Sequence, residues 1–150
     1  MNLPDKIENL AVVDLVPYAR NARTHTEKQV DLLARSMKEF GFTNPILVDR
    51  EGGIVAGHGR VLAAKRLGLD AVPCLRVDWL NEAQKKAYVL ADNKMAMHSG
   101  WDKNLLANEL RQLEAAGFDL LLTGFEEEEF AEMTFNPDEG GGYSRRSSCG

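Results

Sequence analysis

Residues 54–68 read Ile54-Val55-Ala56-Gly57-His58-Gly59-Arg60-Val61-Leu62-Ala63-Ala64-Lys65-Arg66-Leu67-Gly68. A short β-branched run enters two glycines, and a helix-forming run leaves them and stops at Gly68. The stretch therefore predicts a strand, a tight turn and a helix. The glycines permit the sharp turn and a close backbone approach to a ligand. The helix start offers unpaired N–H groups and the positive end of a dipole, and Arg60 adds a planar donor fork suited to phosphate. Together these features predict a phosphate-binding turn. The spacing is neither G-x-x-x-x-G-K-[ST] nor G-x-G-x-x-G, so it is not a Walker loop or a dinucleotide fingerprint. The plain alternative is a strand–helix connection whose glycines serve only geometry and whose arginine is solvated.

Upstream, Pro45–Asp49 and Ile54–Ala56 read as two strands joined by the hairpin Arg50-Glu51-Gly52-Gly53. Thr26 followed by Gln29 has the form of a capping box, and Val30, Leu33, Ala34 and Met37 follow at helical spacing. A helix is thus expected over 27–40, ended by Gly41. Residues 10–16 read as a strand ended by Pro17, and 17–25 as a loop. Downstream, 71–77 reads as a strand in which Pro73 implies an edge position or the strand's first residues. Asn81 caps a predicted helix whose apolar positions are Ala83, Ala87, Leu90 and Ala91. Asp102 caps another, with Leu106, Leu110 and Leu113 inward. A short last helix is expected from Phe125 to Met133, and the Gly/Ser-rich residues 137–150 read as a flexible tail. The chain is expected to hold an α+β domain over 1–98, a helical extension over 99–136 and the tail.

The chain has 150 residues and a formal net charge of −5, is 44% apolar and 27% charged, and so is of ordinary globular composition. No uncharged apolar run approaches membrane-spanning length, and residues 1–6 offer no apolar secretory core. Two distant cysteines, Cys74 and Cys149, form no metal spacing and suit free thiols in a cytoplasmic protein. Residues 1–70 carry ten Lys/Arg and nine Asp/Glu, whereas 71–150 carry eight and fourteen. The acidic excess is C-terminal, so an anion site is expected in the first half.

The order of four segments resembles the N-terminal domain of the ParB/sulfiredoxin superfamily. They are Leu15-Val16-Pro17-Tyr18 with Asn21-Ala22-Arg23, Gly41-Phe42-Thr43-Asn44-Pro45-Ile46-Leu47-Val48, Ile54 to Ala64, and Val72-Pro73-Cys74-Leu75. The resemblance covers about residues 8–98. It implies a small mixed sheet with helices, followed here by a helical extension, and a site for a nucleoside triphosphate, CTP in ParB itself. The triphosphate would lie on Gly57, His58, Gly59 and Arg60. Sulfiredoxin chemistry needs a cysteine in this turn. The position holds His58, and Cys74 lies on a predicted strand, so that activity is rejected. ParB also carries a Glu-Asn-x-x-Arg element. The nearest segment here is Ala91-Asp92-Asn93-Lys94-Met95-Ala96, where Ala96 replaces the arginine. Gly-His-Gly-Arg together with Ala-Asp-Asn-Lys is most similar to ParB-like domains of phages and mobile elements, often associated with DNA methyltransferases.

The resemblance implies roles for individual residues, each with a plainer alternative. Asn21 and Arg23 would sit beside the nucleotide, or Arg23 is a surface charge. Asn93 and Lys94 would help hold phosphates. Asp92 would bind Mg²⁺ with nucleotide oxygens completing the shell, or is a solvated carboxylate. Glu27 would be a base for a hydroxyl substrate, or simply an acid favouring a helix start. The expectation is a module that binds CTP or ATP with Mg²⁺ and acts with DNA or a DNA-modifying partner such as a methyltransferase. The alternative is a small enzyme using the same site, as a small-molecule kinase, nucleotide hydrolase or nuclease. A homodimer is left open as an assembly, and no membrane is expected. The helix after Asp102 lacks a basic face, so 81–98 and 102–116 are read as packing support and no DNA-reading module is expected in the chain.

Overall fold

The computed structural model describes residues 1–19 and 24–134. The expected tail at 137–150 lies outside them. Two compact units divide the chain, one over 1–99 and one over 100–150.

In the first unit, strands β1 (Ile7–Ala11), β2 (Ile46–Val48), β3 (Ile54–Ala56) and β4 (Ala71–Arg76) form one mixed sheet in the order β1-β4-β2-β3. β4 runs antiparallel to β1 and parallel to β2, and β2 and β3 form an antiparallel hairpin. Helices α1 (Glu27–Phe40), α2 (His58–Arg66) and α3 (Glu82–His98) complete the unit. Side chains alternate across the strands. Ile46, Val48, Ile54, Val72 and Cys74 join Val30, Ala34, Met37, Val61, Ala63 and Ala64 in the main core under α1 and α2. Val55, Val77 and Val89 form a second cluster with Leu47, Trp79, Leu80 and Tyr88, placing α3 against the other residues of the hairpin. The architecture is α+β, as expected.

α1 starts on a complete capping box, in which Thr26 accepts from the Gln29 amide and Gln29 accepts from the Thr26 amide. Asn81 and Gln84 repeat the arrangement at α3. At the hairpin, the Asp49 carboxylate accepts from the amides of Glu51 and Gly53 and pairs with Lys85 of α3 at 3.0 Å. Burial alone would raise the Asp49 pKa, but the bonds from Lys85, Gly53 and Glu51 and the Lys85 charge bring it below its ordinary 3.8.

One expectation needs correction. The run 10–16 is not one strand. β1 ends at Ala11, and Val12–Asp14 form a 3₁₀ turn. Val12 and Leu15 are buried while Val13 is exposed, a spacing of three that suits the turn and not a strand. Val16 then makes an isolated bridge with Gly53. β4 is an inner strand, and Pro73 falls among its first residues, the second of the two positions the sequence allowed. It accommodates Pro73 because β2 pairs only with Cys74–Arg76, so the proline precedes the doubly paired segment. In α3 the apolar Ala83, Ala87, Leu90 and Ala91 do not face the core. All four are exposed, and Val89 is the buried residue of α3.

In the second unit, α4 (Lys103–Ala115) is capped by Asp102 and buries Ala107 and Leu110. A 3₁₀ turn at Leu120–Thr123, capped by Asp119, precedes α5 (Glu127–Thr134).

Candidate functional site

The β3–α2 turn opens on a cavity of about 520 Å³ within the first unit, bordered by α1, the 41–45 loop, the turn and α3. Gly57 has φ 109°, a left-handed conformation that favours glycine. A Cβ there would come within 2.8 Å of Ile46 Cδ1 and 3.0 Å of the Arg60 guanidinium. The turn is thus closed over a fully buried core residue on one side and the arginine on the other. The first-turn amides of α2 have no intrahelical acceptor, as in any helix, and no side chain caps them. A Cβ on Gly59 would meet the His25 ring at 2.9 Å, so the space this glycine leaves is taken by a protein side chain.

Arg60 is half-buried. Its Nη2 donates to the Pro45 carbonyl at 3.0 Å, which orients the guanidinium, while its buried Nε has no hydrogen-bond partner among the described residues. Burial pushes its pKa below the ordinary value, and Asp92 and then Tyr88, both on α3, oppose that shift. Burial and the Asp92 charge in turn push the Tyr88 hydroxyl up. Arg60, Tyr88 and Asp92 all line the cavity, so cation, phenol and carboxylate share one site.

His58, the first residue of α2, accepts the Tyr18 amide on Nε2 at 3.1 Å. A neutral imidazole that accepts on Nε2 carries its proton on Nδ1, which leaves one donor for a ligand. Burial and the neighbouring His25 charge lower its pKa from 6.5. The unfolded chain therefore binds a proton below pH 6.5 that the folded chain does not. That linkage makes His58 cost stability as pH falls below this value, by at most about 1.4 kcal/mol per pH unit. Urea unfolding between pH 7.5 and 5.5 is expected to show this decline, and His58→Gln, which keeps an acceptor without titrating, is expected to flatten it. Asp49 works in the same direction but only below pH 3.8, so it does not blur that window. An unchanged slope in the variant would assign the decline elsewhere.

The structure gathers Gly57, His58, Gly59, Arg60, Asp92 and Asn93 around the cavity. Asn93 donates from Nδ2 to the Val89 carbonyl at 2.8 Å. Lys94 is exposed and not among the lining residues. Glu27 is not among them either, and its carboxylate and backbone carbonyl both accept from Arg66 of α2. Asn21 and Arg23 lie outside the described residues. Sequence reasoning missed Ser36, Thr43, Asn44 and Tyr88, all of which line the cavity. Thr43 and Asn44 carried a signal, being polar residues just before a strand that feeds the site. Ser36 and Tyr88 carried none, because only helix packing turns them toward it. Cys74 is fully buried on β4, and burial raises its thiol pKa. No group of three His, Cys, Asp or Glu among the described residues could hold a metal ion. No described helix is long and apolar enough to cross a membrane.

Comparison with known proteins matches this geometry to a family. A family model described as the ParB N-terminal domain matches residues 3–94, and one described as the ParB-methyltransferase HTH domain matches 104–142. The second match falls on the segment that the sequence reading took as a helical extension. It also groups α4 with α5, where the sequence reading paired 81–98 with 102–116. The chain is 49% identical over 81 residues to the ParB-like nuclease domain-containing protein YnaK of Escherichia coli (strain K12), covering 54% of this chain and 93% of that protein. It is 29% identical over 94 residues to the nucleoid occlusion protein of Bacillus cereus (strain B4264), spanning 32% of that protein's length. Among solved structures, C-terminally truncated ParB from Caulobacter crescentus complexed with CTP-gamma-S aligns with a TM-score of 0.69 at 22% identity, over 87% of this chain and 77% of that one. The same protein complexed to the centromeric parS site aligns with a TM-score of 0.51 at 22% identity, over 85% of this chain and 64% of that one. These two likenesses establish the fold. The first of the two family models spans more than half of the chain, and the chain belongs to the ParB N-terminal domain family.

Proposed function

We propose that this protein is a ParB-like nucleotide-binding module that holds CTP or ATP with Mg²⁺ and couples that binding to DNA or to a DNA-modifying partner such as a methyltransferase. The observation that carries the reading is Arg60, a half-buried guanidinium with an unpartnered Nε, set beside an uncapped helix start in a cavity of about 520 Å³. A buried donor without an acceptor is costly unless a ligand supplies one, and a phosphate oxygen is the acceptor that suits both the charge and the dipole. In this reading the phosphates lie on Gly57–Arg60, with Asn93, Lys94, Asn21 and Arg23 as further contacts.

Mg²⁺ fits the donor set in one way. Asp92 is a single lining carboxylate, and Mg²⁺ is commonly held by one or two carboxylates plus substrate phosphates and water. Asp92 would orient the ion, and the ion would neutralise phosphate charge. In this reading the nucleoside would meet the polar lining residues Ser36, Thr43, Asn44 and Tyr88.

The alternative, a small enzyme using the same site, draws no support from Glu27, since Arg66 engages its carboxylate away from the cavity lining. Titration of the purified chain with the four nucleoside triphosphates and Mg²⁺ by calorimetry is the test. Saturable binding of CTP or ATP is expected, and absence of heat with all four would sink the reading. Where binding occurs, nucleoside diphosphate release measured with and without DNA separates a hydrolysing enzyme from a binding switch.

A further inference from the structure

Within the second unit, α4, the 3₁₀ turn and α5 frame an open groove of about 480 Å³. Its apolar surface includes Phe118, Leu121, Phe125 and Phe130, each only half-buried. Trp101, 66% exposed, extends this surface, with its ring tilted against Phe125 at a centroid distance of 5.5 Å. Large apolar side chains clustered at one open groove mark an interaction site more often than an ordinary surface. The rim is acidic. Glu114, Asp119 and Glu127 line the groove, and among the described residues no Lys, Arg or His does.

Charge decides which occupant fits. Residues 100–134 carry nine Asp/Glu against two Lys/Arg, Lys103 and Arg111. Glu126, Glu128 and Glu129 continue the acidic run beside Glu127. A surface of this sign repels a phosphate backbone and attracts lysine and arginine. The apolar floor requires apolar anchors at helical spacing. We propose that this groove docks a basic amphipathic segment of a partner protein. Leucine- or phenylalanine-type anchors lie on the floor, and basic side chains face Glu114, Asp119 and Glu127. On this face the unit matched to an HTH domain works through protein contact. The inference is independent of the nucleotide reading.

The probe is a fluorescein-labelled synthetic helix of about 15 residues with leucines at i, i+3, i+4 and i+7 and lysine or arginine elsewhere. It is titrated with the full chain and followed by anisotropy. Saturable micromolar binding is expected, weakened about tenfold or more by the exposed double substitution Glu114→Lys/Glu127→Lys. A scrambled peptide of equal charge without the apolar stripe is expected to lose binding to a similar degree. Equal binding of the scrambled peptide, or by the charge-reversed chain, overturns the proposal. A DNA duplex that displaces the peptide overturns it in favour of a nucleic-acid face. Tenfold tighter peptide binding by Arg145→Glu/Arg146→Glu overturns it in favour of this chain's own C-terminal segment as the occupant.

Discussion

Arg60→Ala is expected to reduce nucleotide affinity by about 30- to 150-fold. The estimate corresponds to about 2–3 kcal/mol for charge-assisted bonds to a phosphate, made from a group already half-desolvated. Two features place the loss in binding and not in folding. The guanidinium sits at the cavity, and its single described protein bond is to the Pro45 carbonyl, an acceptor that water can satisfy in the variant. Arg60→Lys is expected to recover part of the affinity, since it keeps a charge but loses the planar fork that Nη2 and Nε present together. Calorimetry with the preferred nucleotide and Mg²⁺ reads the effect, and circular dichroism checks that the variants fold. Equal heats from wild type and Arg60→Ala would remove the phosphate from this turn.

Gly57→Ala is expected to cost about 2–4 kcal/mol of folding stability. Two costs add: a non-glycine residue held at positive φ, and a methyl group pressed against Ile46. Ile46 is 0% exposed and anchors β2 against β4, so it has no free side to move toward. The other close neighbour is the Arg60 guanidinium, so the surviving folded population is also expected to bind nucleotide less well. Urea unfolding of the two proteins measures the first effect. A midpoint shift worth less than about 0.5 kcal/mol, the range of ordinary surface substitutions, would show that the turn relaxes freely.

The acidic charge of the chain is concentrated in its second unit. The chain's net −5 divides into +2 over residues 1–99, from fourteen Lys/Arg and twelve Asp/Glu, and −7 over 100–150, from four and eleven. The helix after Asp102 has no basic face, and a family model described as the ParB-methyltransferase HTH domain nevertheless matches residues 104–142. Leu106, Leu110 and Leu113 carried the packing signal, and Leu110 is 2% exposed.

Local chemistry was legible wherever a few neighbouring residues decide the backbone. Thr26 and Gln29 start α1, Asn81 starts α3, Asp102 starts α4, and Gly57 turns the chain into α2, because capping and positive φ are satisfied within a few residues. The sequence by itself thus determined the order of helices and strands, the α+β class and the position of the glycine turn. Only the tertiary structure decided which surfaces those elements share. Pro73 could enter an inner strand because β2 starts pairing one residue later. α3 buries Val89 and leaves Leu90 exposed because its contact is with the β2–β3 hairpin and not with a broad core. Arg60 faces Tyr88 and Asp92, and His58 accepts from Tyr18, across separations of 28 to 40 residues. Contacts of that range depend on how sheet order folds the chain back on itself, and no local pattern encodes them.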